Sequence, residues 1–133
     1  MKGTAEMDLG DIVDHCRKKK GITEDFPFDL ETLCIRVGGR IFLLTDINSR
    51  PLWINLKCDP LMALDLRDEF EAVTPGYHMN KVHWNTVVID GSIPADRILW
   101  MIDHSYDLVL KGLGKTDRDR ILASQVRFTG QPI

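Results

Sequence analysis

The segment TPGYHMNKVHWNTV, residues 74–87, gathers Tyr77, His78, Asn80, Lys81, His83, Trp84 and Asn85 into one short stretch. Imidazole titrates near neutrality, so His78 and His83 could act as an acid and a base. A nucleophile is not identifiable: the chain has no G-x-S-x-G, and no cysteine has an activating neighbour in sequence. No catalytic residue is therefore assigned. A metal pair is also disfavoured. His78 and His83 lack the i, i+4 spacing of one helix face, and on a strand their odd separation points them to opposite faces. They could converge through a loop, with Cys58 or Asp59 as further ligands. No metal and no other cofactor is expected.

Three readings of the segment stay open. Lys81 and a protonated histidine can contact phosphate, Asn80 and Asn85 can read base edges, and Tyr77 and Trp84 can stack on exposed bases. The same groups can line a pocket for a small ligand or a partner protein. They can also satisfy loop backbone groups, with Trp84 closing the core. On residue chemistry alone the last reading carries most weight.

The elements that must position these groups follow from periodicity. Leu9, Ile12, Val13 and Cys16 recur at helical spacing, with Asp8 and Asp11 near the start and Lys18, Lys19 and Lys20 at the end. The lysine run reads as a helix end. In TEDFPF, Pro27 forbids a helix interior, and the two phenylalanines are expected to cap one edge of the core. Leu33, Ile35 and Val37 alternate as a strand. Gly38-Gly39 is a hairpin signal, and Arg40–Ile47 returns as the partner strand. A turn at 48–51 precedes a third strand at Leu52–Leu56. Asp59-Pro60 opens a helix with Ala63, Leu66 and Phe70 inward. Pro75-Gly76 turns the chain, with a short strand near Thr74. Trp84–Ile89 is a strand. A long helix follows from Pro94, with Ile98, Ile102, Ser105 and Val109 as its stripe, ended by Gly112. The order predicts an α+β domain in which an antiparallel sheet of four to five strands is covered by helices.

With 133 residues, the chain suits one domain, placed at 1–114. Residues 115–133 are read as an extension, partly helical or disordered. No apolar run reaches the ~18 residues of a membrane span, and the start lacks a signal-like apolar core. The expectation is a cytoplasmic protein with no membrane partner. Three cysteines, Cys16, Cys34 and Cys58, without a C-x-x-C motif, read as reduced thiols. The net charge of −3 gives no overall nucleic-acid footprint. Residues 33–58 nevertheless carry Arg36, Arg40, Arg50 and Lys57 against Asp46 alone. An acidic first helix, through Glu6, Asp8, Asp11 and Asp14, is a further and weaker metal hypothesis.

Several stretches together resemble the MmcQ/YjbR family: EDFPF (24–28), VGGR-x-F (37–42), NLKCDP (55–60), TPGYHMNKVHWNTV (74–87), DGSIP (90–94) and IDHSYDLV (102–109). The resemblance spans about residues 8–113. It implies a CyaY-like fold carrying a "double-wing" motif and predicted to bind DNA; it carries over no catalytic set. The signature positions are Pro75, Gly76, Tyr77, His78, Asn80, Lys81, His83, Trp84 and Asn85, with Lys57. The implied function is a non-enzymatic DNA-binding protein. Arg36, Arg40, Lys57 and Lys81 would contact phosphate, and His78, Asn80, His83 and Asn85 would be further contacts. This chain departs from the family in its KKKG link before ITEDFPF.

Overall fold

The computed structural model describes residues 7–124. Helix α1, Leu9–Arg17, begins at a reciprocal cap. The Asp8 carboxylate accepts from the Asp11 N–H at 2.8 Å, and the Asp11 carboxylate accepts from the Asp8 N–H at 3.0 Å. Two of the four acidic residues in the helix-metal hypothesis thus serve the helix start; Glu6 lies outside the described residues. Lys19 and Lys20 of the basic run also hold internal contacts. Lys19 pairs with Asp103, which His15 meets at 2.7 Å, and Lys20 donates to the Leu122 carbonyl. Burial alone would raise the Asp103 carboxyl, but Lys19 and then His15 outweigh it and leave it below its ordinary value.

Six strands form one antiparallel sheet: β1 Ile22–Asp25, β2 Thr32–Val37, β3 Arg40–Asp46, β4 Leu52–Lys57, β5 Val73–Pro75 and β6 Trp84–Ile89, in the spatial order β1-β2-β3-β4-β6-β5. The expected α+β class is observed, with more strands than the four to five expected. The addition is β1. Pro27 ends this strand rather than preventing it, because the strand lies on the sheet edge. Phe26 and Phe28, expected to cap the core, are instead exposed, at 44% and 68%. The β2–β3 hairpin turns at Gly38 and Gly39 with φ of 58° and 83°, the pair of positive values that two-residue hairpins favour. A Cβ on Gly38 would stand 2.5 Å from Leu113, so the tip lies flush against the chain after the long helix Ala95–Lys111.

Three helices complete the frame: α2 Pro60–Glu69, α3 Ala95–Lys111 and α4 Lys115–Ala123. Asp59 caps α2, its carboxylate accepting from Leu61 and Met62 N–H, with Pro60 at the first turn as expected. Ile121 of α4 is buried within the core. The helices cover one face of the sheet. On that face lies the row Leu33, Thr45, Ile54, Val87 and the row Ile35, Leu43, Leu56, Asn85. A register shift between Ile35 and Arg36 leaves Phe42 without a partner on β2, and Phe42 and Leu43 are both fully buried. Such a bulge reverses the alternation, so Ile41 falls on the opposite, helix-free face with Leu44. Phe42 packs edge-on against Tyr106 of α3, and its carbonyl accepts from Ser105 Oγ at 2.6 Å. Among the described residues no helix is long and apolar enough to cross a membrane.

One contact makes the fold sensitive to acid. The Asp59 N–H donates to His104 Nε2 at 3.1 Å, while the ring stacks on Trp100. Burial, the largest influence, pushes His104 below its ordinary 6.5. The native state thus prefers neutral imidazole, and the unfolded chain takes up the proton first. Stability from this group is complete above pH 6.5 and is lost as pH falls through the lower folded value. His104→Gln, which keeps an acceptor but cannot titrate, is expected to flatten this part of the pH profile. Urea midpoints measured from pH 7.5 downward check it; equal slopes for both proteins would contradict it.

Candidate functional site

The segment from Gly76 to His83 is a loop between β5 and β6, and its own backbone and side chains hold it. Gly76 N–H donates to the Trp84 carbonyl at 2.8 Å, and Met79 N–H to the Gly76 carbonyl at 3.1 Å. Lys81 Nζ donates to the Gly76 carbonyl at 2.8 Å. Asn80 Oδ1 accepts from the N–H groups of Val82 and His83 at 2.9 and 3.2 Å. Lys81 and Asn80 are therefore turned onto the loop, as buttresses. A Cβ on Gly76 would lie 2.7 Å from Trp84 Cβ, which explains glycine there without any appeal to its dihedral freedom.

Two buried polar residues then fasten this loop across the helix-free face. Asn55 of β4 is fully buried and Thr86 of β6 nearly so; they are cross-strand partners. Thr86 Oγ1 donates to Asn55 Oδ1 and accepts from the Tyr77 N–H at 2.8 Å; Asn55 Nδ2 donates to the Tyr77 carbonyl at 3.0 Å. From the other side Arg67 of α2 donates to Asn85 Oδ1 at 2.7 Å and to the Trp84 and Lys81 carbonyls. Asn85 is 2% exposed, and its Nδ2 has no partner among the described residues.

Held this way, Tyr77, His78 and Met79 wall a hollow of about 480 Å³ on the open face. Its floor is Ile41, Leu44 and Trp53 from β3 and β4; Phe28 closes another side, and Thr32 and Asp46 lie at the edge. Tyr77 meets Trp53 edge-on at 5.8 Å and leans on His78 at 4.0 Å. This volume falls in the range of small-molecule sites, and the lining is largely apolar, as such sites are. A larger recess, about 620 Å³, lies between the start of α1 and the β3–β4 turn beside Arg50 and Asp90. It is more open and lacks aromatic rings, so it ranks below the aromatic hollow as a binding site.

His78 adopts φ 61°, the one positive value among the described non-glycine residues. Histidine tolerates this region at a cost, and such residues concentrate at binding sites. His78→Gly is expected to be neutral or to stabilise by up to about 1 kcal/mol, and His78→Val to destabilise by about 1–2 kcal/mol. Chemical denaturation of both variants checks the order; a more stable valine variant would contradict it.

The other sequence candidates are placed as follows. Pro75 ends β5 opposite Asn85. His83 is exposed, and its carbonyl accepts from the Cys58 N–H at 2.8 Å. Trp84 is half-buried at the start of β6 and pairs with Lys57, away from the core it was expected to close. Register puts Arg36 and Lys57 on the open face, at the end of the sheet where exposed Arg40 leaves the hairpin. Arg36 is bonded to Asp25 at 2.9 Å and to the Gly39 carbonyl at 3.0 Å. All three cysteines are free and buried; burial pushes Cys16 up to about 12 and Cys58 up to about 11, which leaves them protonated and poor nucleophiles. Sequence reasoning missed Asn55, Thr86 and Arg67. The available signal was polar Asn55 and Thr86 within otherwise apolar strands.

The model of the YjbR family matches residues 17–108. The YjbR protein of Escherichia coli K12, itself uncharacterised, is 31% identical over 113 residues, covering 84% of this chain and 95% of that protein. The uncharacterised YyaQ of Bacillus subtilis is 40% identical over 112 residues, covering 74% and 94%. A crystal structure of the Deinococcus radiodurans protein DR2400 superposes with a TM-score of 0.84 at 36% identity, over 96% of this chain and 97% of that one. The family match covers most of the chain, and every residue that lines the hollow falls inside it. The chain belongs to the YjbR family.

Proposed function

We propose that this protein is a cytosolic binding module and that the hollow on the open face of its sheet takes a small organic ligand. The observation that carries the reading is the construction of the site. Buried Asn55 and Thr86 are spent on fixing Tyr77, and with it two neighbours, over a floor that no helix covers. The test is a thermal-shift screen with a library of small amphipathic molecules. Compounds that raise the melting temperature of the wild type should lose their effect in Trp53→Leu and Tyr77→Ala. Hits that act equally on both variants would refute it.

DNA is the second reading, favoured by Arg36 and Lys57 on the open face, at the end of the sheet where exposed Arg40 leaves the hairpin. Phosphate contacts release counterions, so duplex binding must weaken steeply with salt. Fluorescence anisotropy at two salt concentrations decides it. Absence of binding at ~50 mM salt, or salt-independent binding, removes it.

A further inference from the structure

We infer that the ligand of the hollow is a small quaternary or methylated ammonium compound, an inference that rests on the site proposed above. Three aromatic rings, Phe28, Trp53 and Tyr77, border the hollow. The Trp53 and Tyr77 planes stand at 82°, so their rings make a corner rather than a stack. Phe28 is 68% exposed, its ring held out at the mouth on a loop that Asp29 pins by accepting from the Glu31 and Thr32 N–H groups. An aromatic face attracts a cation through its quadrupole, most strongly a weakly hydrated one.

Charge selects within that chemistry. Asp46 is the one carboxylate in the lining, and the lining contains no lysine or arginine. It gives one oxygen to the Asn48 N–H at 2.8 Å, and among the described residues no lysine, arginine or histidine pairs with it. The nearest basic residue on this face by register, Arg36, is committed to Asp25. An anionic ligand would meet an unneutralised carboxylate, and a neutral one would leave the rings' electrostatics unused. A methylated ammonium suits both: its methyl groups lie against Ile41 and Leu44, and its charge faces the rings and Asp46. A primary ammonium keeps its hydration more firmly and gains less.

Choline and its uncharged isostere 3,3-dimethyl-1-butanol are the probes, read by the Trp53 indole N–H resonance of the full chain. Choline is expected to shift that resonance and to bind about tenfold tighter than the alcohol, the size of one desolvated cation–π contact. Asp46→Asn keeps the acceptor for Asn48; it should weaken choline about tenfold and leave the alcohol unchanged. Trp53→Leu, read at Tyr77 and His78 backbone resonances, removes an aromatic face but leaves an apolar residue, and should weaken choline more than the alcohol. Equal affinity for the two probes, or an unchanged choline affinity in Asp46→Asn, overturns the cation assignment while leaving the hollow a ligand site. Failure of both probes to shift Trp53 overturns the assignment, and the library screen then judges the site by itself. A trimethyl-lysine peptide that binds more tightly than choline would reassign the occupant to a modified partner protein and overturn the small-molecule form of the inference.

Discussion

Arg67→Met is expected to lower the unfolding free energy by about 3 kcal/mol and the melting temperature by roughly 10 °C. The guanidinium donates to three oxygens that no other described donor of α2 reaches: Asn85 Oδ1 and the carbonyls of Trp84 and Lys81. The Trp84 carbonyl keeps the Gly76 N–H, and the Lys81 carbonyl lies towards solvent and can recover water. Asn85 cannot, because it is 2% exposed and its Nδ2 is already unpartnered. Removing Arg67 would orphan the Oδ1 of a buried amide whose Nδ2 is already unpartnered, and losing this charge-assisted bond costs up to about 3 kcal/mol. Methionine retains most of the apolar stem, so the loss reports hydrogen bonding rather than packing. Arg67→Lys supplies a point donor in place of a planar fork and should recover less than half. Urea unfolding of the three proteins measures it. A loss below about 1 kcal/mol for Arg67→Met would show that the loop end is held by other contacts.

Asn55→Leu is expected to cost about 2 kcal/mol and to abolish ligand binding in the hollow. Leucine has the same branching and number of heavy atoms and is no smaller, so no cavity accounts for the loss at this fully buried site. The Tyr77 carbonyl loses its donor, and the Thr86 hydroxyl loses its acceptor while still meeting the Tyr77 N–H. Tyr77 is then fixed by one bond instead of two, and its ring need not stay at 82° to Trp53. Thr86→Val should cost less on its own, about 1–2 kcal/mol, and the pair should be non-additive by about 1 kcal/mol because both act on the same loop residue. A strictly additive double variant would mean that Asn55 and Thr86 do not work as one anchor.

Much of the frame was legible in the chain. Gly38-Gly39 between two alternating apolar runs could only be a tight hairpin, and both residues have the positive φ that the turn demands. Asp59-Pro60 announced α2, and the stripe Ile98, Ile102, Ser105, Val109 is buried as periodicity required. β1 was hidden because four residues of half-exposed edge strand carry little apolar signal and precede a proline. The hollow was hidden for a different reason. It exists because the helices take one face of the sheet, and one unpaired residue, Phe42, moves Ile41 to the other. A single-residue bulge is not written in periodicity. Histidines and lysine drew attention in TPGYHMNKVHWNTV, yet Lys81 and Asn80 bond back to their own loop. The residues that place the segment, Asn55 and Arg67, lie 22 and 18 positions from their partners Tyr77 and Asn85, beyond the reach of any local pattern.

A ligand site made by the loop and the open face together has a direct spectroscopic signature. A two-dimensional amide and indole NMR spectrum, recorded with pooled screening hits, tests it most directly. Shifts are expected to concentrate at the Trp53 indole and at Ile41, Leu44, Tyr77 and His78, and to disappear in Asn55→Leu. Shifts confined to the α2–α3 face or to the recess beside Arg50, or shifts that survive in Asn55→Leu, would contradict it.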